Sequence, residues 1–269
     1  TFDGPARAQK FEQVQAFYQT HPGDYRVFGT GSDAALEGGR DLWDQEPLIL
    51  SRYALFVSQS QGFPEEAIFR TSPIFTRFQP IYALTRLRYI LNVDGAGRLK
   101  AMELPFKPFP QVKIYHQYVT VASASDAVGR LLSPGFDFKH RLILEQKPNP
   151  APSKPTALES VSVQNRSVDR LDLEANLSAP GILLITDNYG LGWKAKDLNG
   201  TSASSFKVMP ADGFLRAIAL PAGQHRLALV YAPDSFRVGL WISLVALMFS
   251  IVILTCVFRR PLFPPIQRK

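Results

Sequence analysis

The chain has 269 residues, 46% of them hydrophobic, which suffices for one or two packed cores outside any membrane. Its formal charge is +7, but the last eleven residues, RRPLFPPIQRK, carry +4 of it, and no basic cluster with interleaved aromatics stands elsewhere, so nucleic-acid binding gains no support. The one cysteine, Cys256, rules out intrachain disulfides and leaves the fold to be held by its core alone.

Residues 1–146 read as an α+β domain. Phe11, Val14 and Tyr18 recur at helical spacing, and DYRVFGT, Asp24 to Thr30, reads as a strand. Further helices are expected over parts of Glu46 to Ser58 and Phe75 to Arg86. Ser125 is placed as the N-cap of a short helix with Val128, Leu131 and Leu132 on one face, before a strand at Arg141 to Glu145. The segment KPNPAPSKPT, residues 147–156, has four prolines in ten residues and reads as a linker between domains.

Residues 157–237 read as all-β. Val161 and Val163 alternate with polar neighbours, as do Leu171, Leu173 and Ala175 and later Leu227, Leu229 and Tyr231. Gly181 to Ile185, GILLI, is apolar on both faces and is expected at the centre of a sheet. Asn199-Gly200 is a hairpin signal, because a type I′ turn needs positive φ at both central residues. About seven short strands in this stretch suggest a small β-sandwich. Its last strand runs through Tyr231 and Pro233 almost directly into an apolar segment.

That segment, Val238 to Phe258, is an uncharged run of 21 residues. At about 1.5 Å per residue it reaches roughly 31 Å, the thickness of a bilayer's hydrocarbon core, and is expected to be a transmembrane helix. Residues 259–269 form a basic tail opened by Arg259 and Arg260, while the other flank offers Arg237 offset by Asp234. The positive-inside rule then places the tail in the cytoplasm and the bulk of the chain outside a bacterial inner membrane. Trp241 suits the headgroup boundary together with Arg259 and Arg260 on the opposite side. Residues 1–25 show no apolar leader and the sequence opens with Thr1, so a cleaved signal peptide or an earlier span is expected upstream.

Catalytic, cofactor and metal signatures are absent from the sequence. His21, His116, His140 and His225 lack metal-ligand spacing, and there is no HExxH, CxxC, GxSxG or P-loop. Gly29-Thr30-Gly31 lacks the third glycine of a dinucleotide fingerprint and reads as a turn. No catalytic residue and no cofactor is therefore assigned.

One stretch is more specific. TDNYGLGWKAKDLNG, then Phe214-Leu215-Arg216-Ala217, PAGQH from Pro221 to His225 and YAPDSFRVGLWIS from Tyr231 to Ser243 resemble, in order and spacing, the carboxyl-terminal end of the YfhO-like bacterial membrane proteins. Upstream, DYRVFGTGSDAAL, LILSRY, LRYIL and GFDFKHRLILEQ are similar to that family's extracytoplasmic region. Two positions depart from the family pattern: Gln111 stands where an arginine follows proline, and Leu191 stands where a proline precedes Gly-Trp. The first loses a five-donor fork suited to carboxylate or phosphate. The resemblance implies kinship with polytopic GT-C-type glycosyltransferases, but this sequence has one span and none of their many-helix core.

Three functions follow from these readings. The first is a non-catalytic, single-pass subunit of a larger membrane complex, whose partners are the lipid bilayer and other membrane subunits. Its helix would pack through Gly239, Ser243, Ala246 and Ser250, small residues spaced by four, three and four along one face. The second is the carboxyl-terminal part of a polytopic glycosyltransferase acting on cell-envelope polymers. The third is an extracytoplasmic sugar-binding module, in which Tyr189 and Trp193 form a stacking platform for a glycan instead of packing on the sandwich edge.

Overall fold

The computed structural model describes residues 4–29, 41–42, 49–63, 75–199 and 205–258. Three sheets organise them. In the first, β1 (Arg26–Phe28) runs parallel to β2 (Leu87–Val93), which pairs antiparallel with β3 (Leu99–Glu103). Helix α1 (Gly4–Thr20) contributes Phe17 to a small core with Tyr25, Val27, Tyr89 and Leu91. The alternation of Leu87, Tyr89 and Leu91 in β2 puts all three on buried positions, as a period of two requires.

The second sheet has six strands: β4 (Val112–Tyr115), β5 (Tyr118–Thr120), β6 (Leu142–Leu144), β9 (Gly181–Asn188), β12 (Val208–Ala211) and β13 (Leu215–Leu220), in the order β4-β9-β13-β12-β6-β5. The third has five: β7 (Ser160–Ser167), β8 (Arg170–Leu177), β10 (Trp193–Asp197), β11 (Ser205–Phe206) and β14 (Gly223–Tyr231), all antiparallel in the order β11-β10-β14-β8-β7.

The six-stranded sheet is buried on both faces. On one, Leu183 and Ile185 of β9 and Ile218 and Leu220 of β13 pack against Leu171, Leu173, Leu227 and Leu229 of the five-stranded sheet. On the other, Ile182 and Leu184 with Leu215 and Ala217 meet α2 (Ser51–Ser60), α3 (Ala124–Leu131) and the 3₁₀ turn Pro80–Thr85. Phe56 of α2 stacks on Phe214 with ring centroids 4.1 Å apart. Two-sided burial is what the unbroken apolar run of β9 demands, and it confirms GILLI as central. Each fully buried leucine there contributes about 1.5–3 kcal/mol.

Several expectations change. The all-β region 157–237 does not close a sandwich by itself, because β4, β5 and β6 from the other side of residues 147–156 complete one of its two layers. The proline-rich segment is thus a strap within one folded body, not a boundary. Its backbone is pinned where Ser153 N–H donates to Pro180 O at 2.9 Å and Thr156 N–H donates to Ser178 Oγ at 3.0 Å. Ser123, not Ser125, caps α3, accepting from the Asp126 N–H. The expected Asn199-Gly200 turn falls partly outside the described residues; the strands on either side of it pair with Lys196 opposite Ser205. Two consecutive residues with positive φ, Asp212 (φ 49°) and Gly213 (φ 82°), lie in the three-residue connection from β12 to β13.

Helix α4 (Asp234–Phe258) leaves β14 after only Ala232 and Pro233. It is long and apolar enough to cross a membrane, and its side chains are exposed from Asp234 to Thr255. Asp234 sits in its first turn, where a negative charge is favourable, and is paired with Lys194 at 2.6 Å. The basic tail, with Arg259 and Arg260, lies outside the described residues.

Candidate functional site

A cleft of about 760 Å³ opens where the three sheets meet. Asp187, near the end of β9, is its centre. The Arg86 Nη2 lies 2.6 Å from Asp187 Oδ1 and the Arg26 Nη2 lies 2.8 Å from the same oxygen. Arg216 Nη2 stands 3.9 Å from Oδ2, and the Gln111 amide donates to Oδ2 at 3.2 Å. Arg86 also reaches Asp24 at the rim, at 2.7 Å.

Each group is delivered by a different element. Arg26 opens β1, Arg86 closes the 3₁₀ turn in a left-handed conformation (φ 63°), Gln111 precedes β4 and Arg216 lies on β13. Arg216 is held from both sides: its Nε donates to the Asn188 carbonyl at 2.9 Å, and its guanidinium covers the Trp193 ring at 3.9 Å from the centroid. The facing ends of β7 and β8 add Arg166 and Arg170, both paired with Asp172. The lining thus holds five arginines against two aspartates, and Asp172 beside it pairs with two of the five, which leaves an excess of two positive charges.

Burial pushes the Asp187 carboxyl upward, but the charges of Arg26, Arg86 and Arg216 and the Gln111 hydrogen bond outweigh it and hold it below its ordinary value. Burial lowers Arg216 to about 10, opposed by Asp187 and reinforced by repulsion from Arg26 and Arg86. Arg26 is lowered as well, chiefly by burial. Buried charges of one sign that outnumber their partners favour an incoming anion. Two of the lining residues each bury an atom, Arg86 Nε and Asn188 Oδ1, that has no hydrogen-bond partner among the described residues.

The sequence-derived candidates fall in three places. Trp193 lines the cleft, packs on the core between the two larger sheets and meets Tyr231 at 5.5 Å. Tyr189 is outside the lining; its ring lies under Arg52 at 5.3 Å, and Arg52 in turn pairs with Glu145. The two aromatics therefore stand under different guanidinium groups. Gly239, Trp241, Ser243, Ala246 and Ser250 are all on α4, exposed, away from the cleft. No group of three metal-ligating side chains occurs among the described residues.

Sequence reasoning did not find the arginine cluster. Its members are far apart along the chain, 161 positions between Arg26 and Asp187, and no periodicity links them. One signal was available: Asp24, Arg26, Asp187, Trp193 and Arg216 all belong to the motifs that carry the YfhO-like resemblance, and Gln111 is one of its departures.

No family model matches the chain, and no curated protein matches it. Among solved structures, it is similar to the arabinofuranosyltransferase AftD from Mycobacteria, at 25% identity over 39% of this chain and 8% of that one, with a TM-score of 0.28. Two structures of a mutant of the same enzyme match alike, at 25% identity with a TM-score of 0.27 and at 26% identity with a TM-score of 0.28. The matched part is a small fraction of that protein.

Proposed function

We propose that this chain is a non-catalytic, membrane-anchored module of a larger bacterial membrane complex, its folded body outside the inner membrane and its carboxyl end in the cytoplasm. The observation that carries the reading is α4: an apolar helix exposed from Asp234 to Thr255 that follows the last strand after two residues. In water such a surface is costly, at roughly 25 cal/mol for each Å² of apolar area, and a bilayer removes that cost.

The connection is rigid. Tyr231 N–H donates to Asp169 O and Ala232 N–H to Gly192 O, both at 2.8 Å, and Lys194 ties down Asp234. The body is thereby held at the membrane surface, not on a tether. Within the bilayer, helices associate through close approach at small residues, and Gly239, Ser243, Ala246 and Ser250 supply such a face. An added Cβ at Gly239 meets nothing within 4 Å, so this chain leaves room there for a neighbouring helix.

The experiment is purification of the native protein with and without the substitutions Gly239→Leu and Ala246→Leu. The unsubstituted chain is expected to co-purify with other membrane subunits and the double variant to be released with its external fold intact. Isolation of the native protein as a lone monomer overturns the reading, as does glycosyl transfer by the isolated chain.

A further inference from the structure

We infer that the arginine cleft is a binding site for the phosphate of an anionic glycerophospholipid headgroup at the outer surface of the membrane. The inference goes beyond the anchoring role, rests on α4 being the membrane anchor with the folded body outside, and does not depend on any partner helix.

The site is built for an anion. Arg86 and Arg216 are buried at 7% and 6% exposure, and Asp187 neutralises part of their charge and that of Arg26. A buried guanidinium Nε without an acceptor is costly, and a phosphate oxygen placed at Arg86 would satisfy it with a charge-assisted bond. The Asn188 Oδ1, buried in the same lining without a donor, would accept a hydrogen bond from a hydroxyl. An ester of phosphate with a polyol presents both groups together. A choline ester presents the first without the second.

The location selects a lipid as the source. Trp193 pairs with Tyr231, the last residue of β14, and the turn between Arg166 and Arg170 is bonded to that same residue through Asp169. The cleft therefore lies at the end of the sheets from which α4 departs. Allowing about 3.5 Å per extended residue to Asp234, 1.5 Å per helical residue to Val238 and one cross-strand step, Trp193 is within about 22 Å of the apolar span. Beside the cleft two apolar side chains point into solvent, Val168 at 102% and Leu191 at 90% exposure, and Trp193 itself is only half-buried. Exposed apolar tips next to arginines and an indole, at the foot of a membrane helix, match the interfacial zone, where apolar groups meet anionic headgroups.

The test uses the full chain in a neutral detergent, titrated with dioctanoyl phosphatidylglycerol, dioctanoyl phosphatidylcholine, glycerol 1-phosphate and inorganic phosphate, with binding read by native mass spectrometry and by the shift in melting temperature. Saturable binding of phosphatidylglycerol at least tenfold tighter than that of the other three is expected. Arg216→Gln and Arg86→Gln should weaken it at least tenfold, whereas Asp187→Asn, which removes the competing carboxylate, should tighten it. Should the buried variants unfold, Arg166→Gln with Arg170→Gln, both at exposed positions, should weaken binding several-fold on an intact fold. Equal affinity for phosphatidylcholine, or indifference to both the buried and the rim arginines, overturns the inference. Glycerol 1-phosphate binding as tightly as the lipid assigns the cleft to a soluble polyol phosphate and overturns the lipid source.

Discussion

At the scale of single residues, the sharpest consequence comes from Asp212. Burial raises its carboxyl from an ordinary 3.8 to about 7, partly offset by the Ile143 N–H, which donates to Oδ1 at 2.9 Å. Between those two values the folded chain holds a proton that the unfolded chain has lost, so stability falls as pH rises through the window and levels off above pH 7. The separation corresponds to about 4 kcal/mol. Asp212→Asn keeps the acceptor, tolerates the left-handed backbone and is expected to flatten the pH dependence; melting temperatures from pH 4 to 8 check it. Trp193 is the second case. Because it packs on the core and carries Arg216 on its ring, Trp193→Ala should cost about 3–5 kcal/mol, measured by denaturant unfolding. Unchanged stability with weakened glycan binding would return Trp193 to the sugar platform.

At the scale of elements, the junction between β14 and α4 depends on Gly192. A Cβ there would lie 2.5 Å from the Tyr231 ring and 3.0 Å from Pro233, the two residues that set the exit direction of the helix. Gly192→Ala should destabilise the chain by about 1–3 kcal/mol and expose Ala232 to Asp234 to protease, whereas Gly190→Ala, with contacts no closer than 3.8 Å, should do neither. The turn at Asp212-Gly213 shows a related constraint. Gly213 has φ 82°, and an added Cβ would meet Val128 of α3 at 2.6 Å, so the turn serves both the hairpin and the packing of a helix on it.

At the scale of the whole molecule, orientation is the testable property. Protease added outside intact cells should degrade the folded body and leave a fragment from Trp241 to Lys269; protection of residues 181–231 would reverse the orientation. The sequence alone determined the elements whose signal is local: the apolar run of α4, the alternation of Leu171, Leu173 and Ala175 in β8, and the two-faced burial of β9. Each of these needs only its own residues and a solvent to define a buried side. The tertiary structure decided the rest. Strands β4, β5 and β6 are three or four residues long, too short to show a period, and they join β9, β13 and β12 only because a half-covered sheet gains from completion across the proline-rich strap. The arginine cleft was decided at the same level. Arg26, Arg86 and Arg216 sit in unrelated segments, and what unites them is the electrostatic demand of one buried carboxylate, Asp187, which exists only once three sheets converge on it.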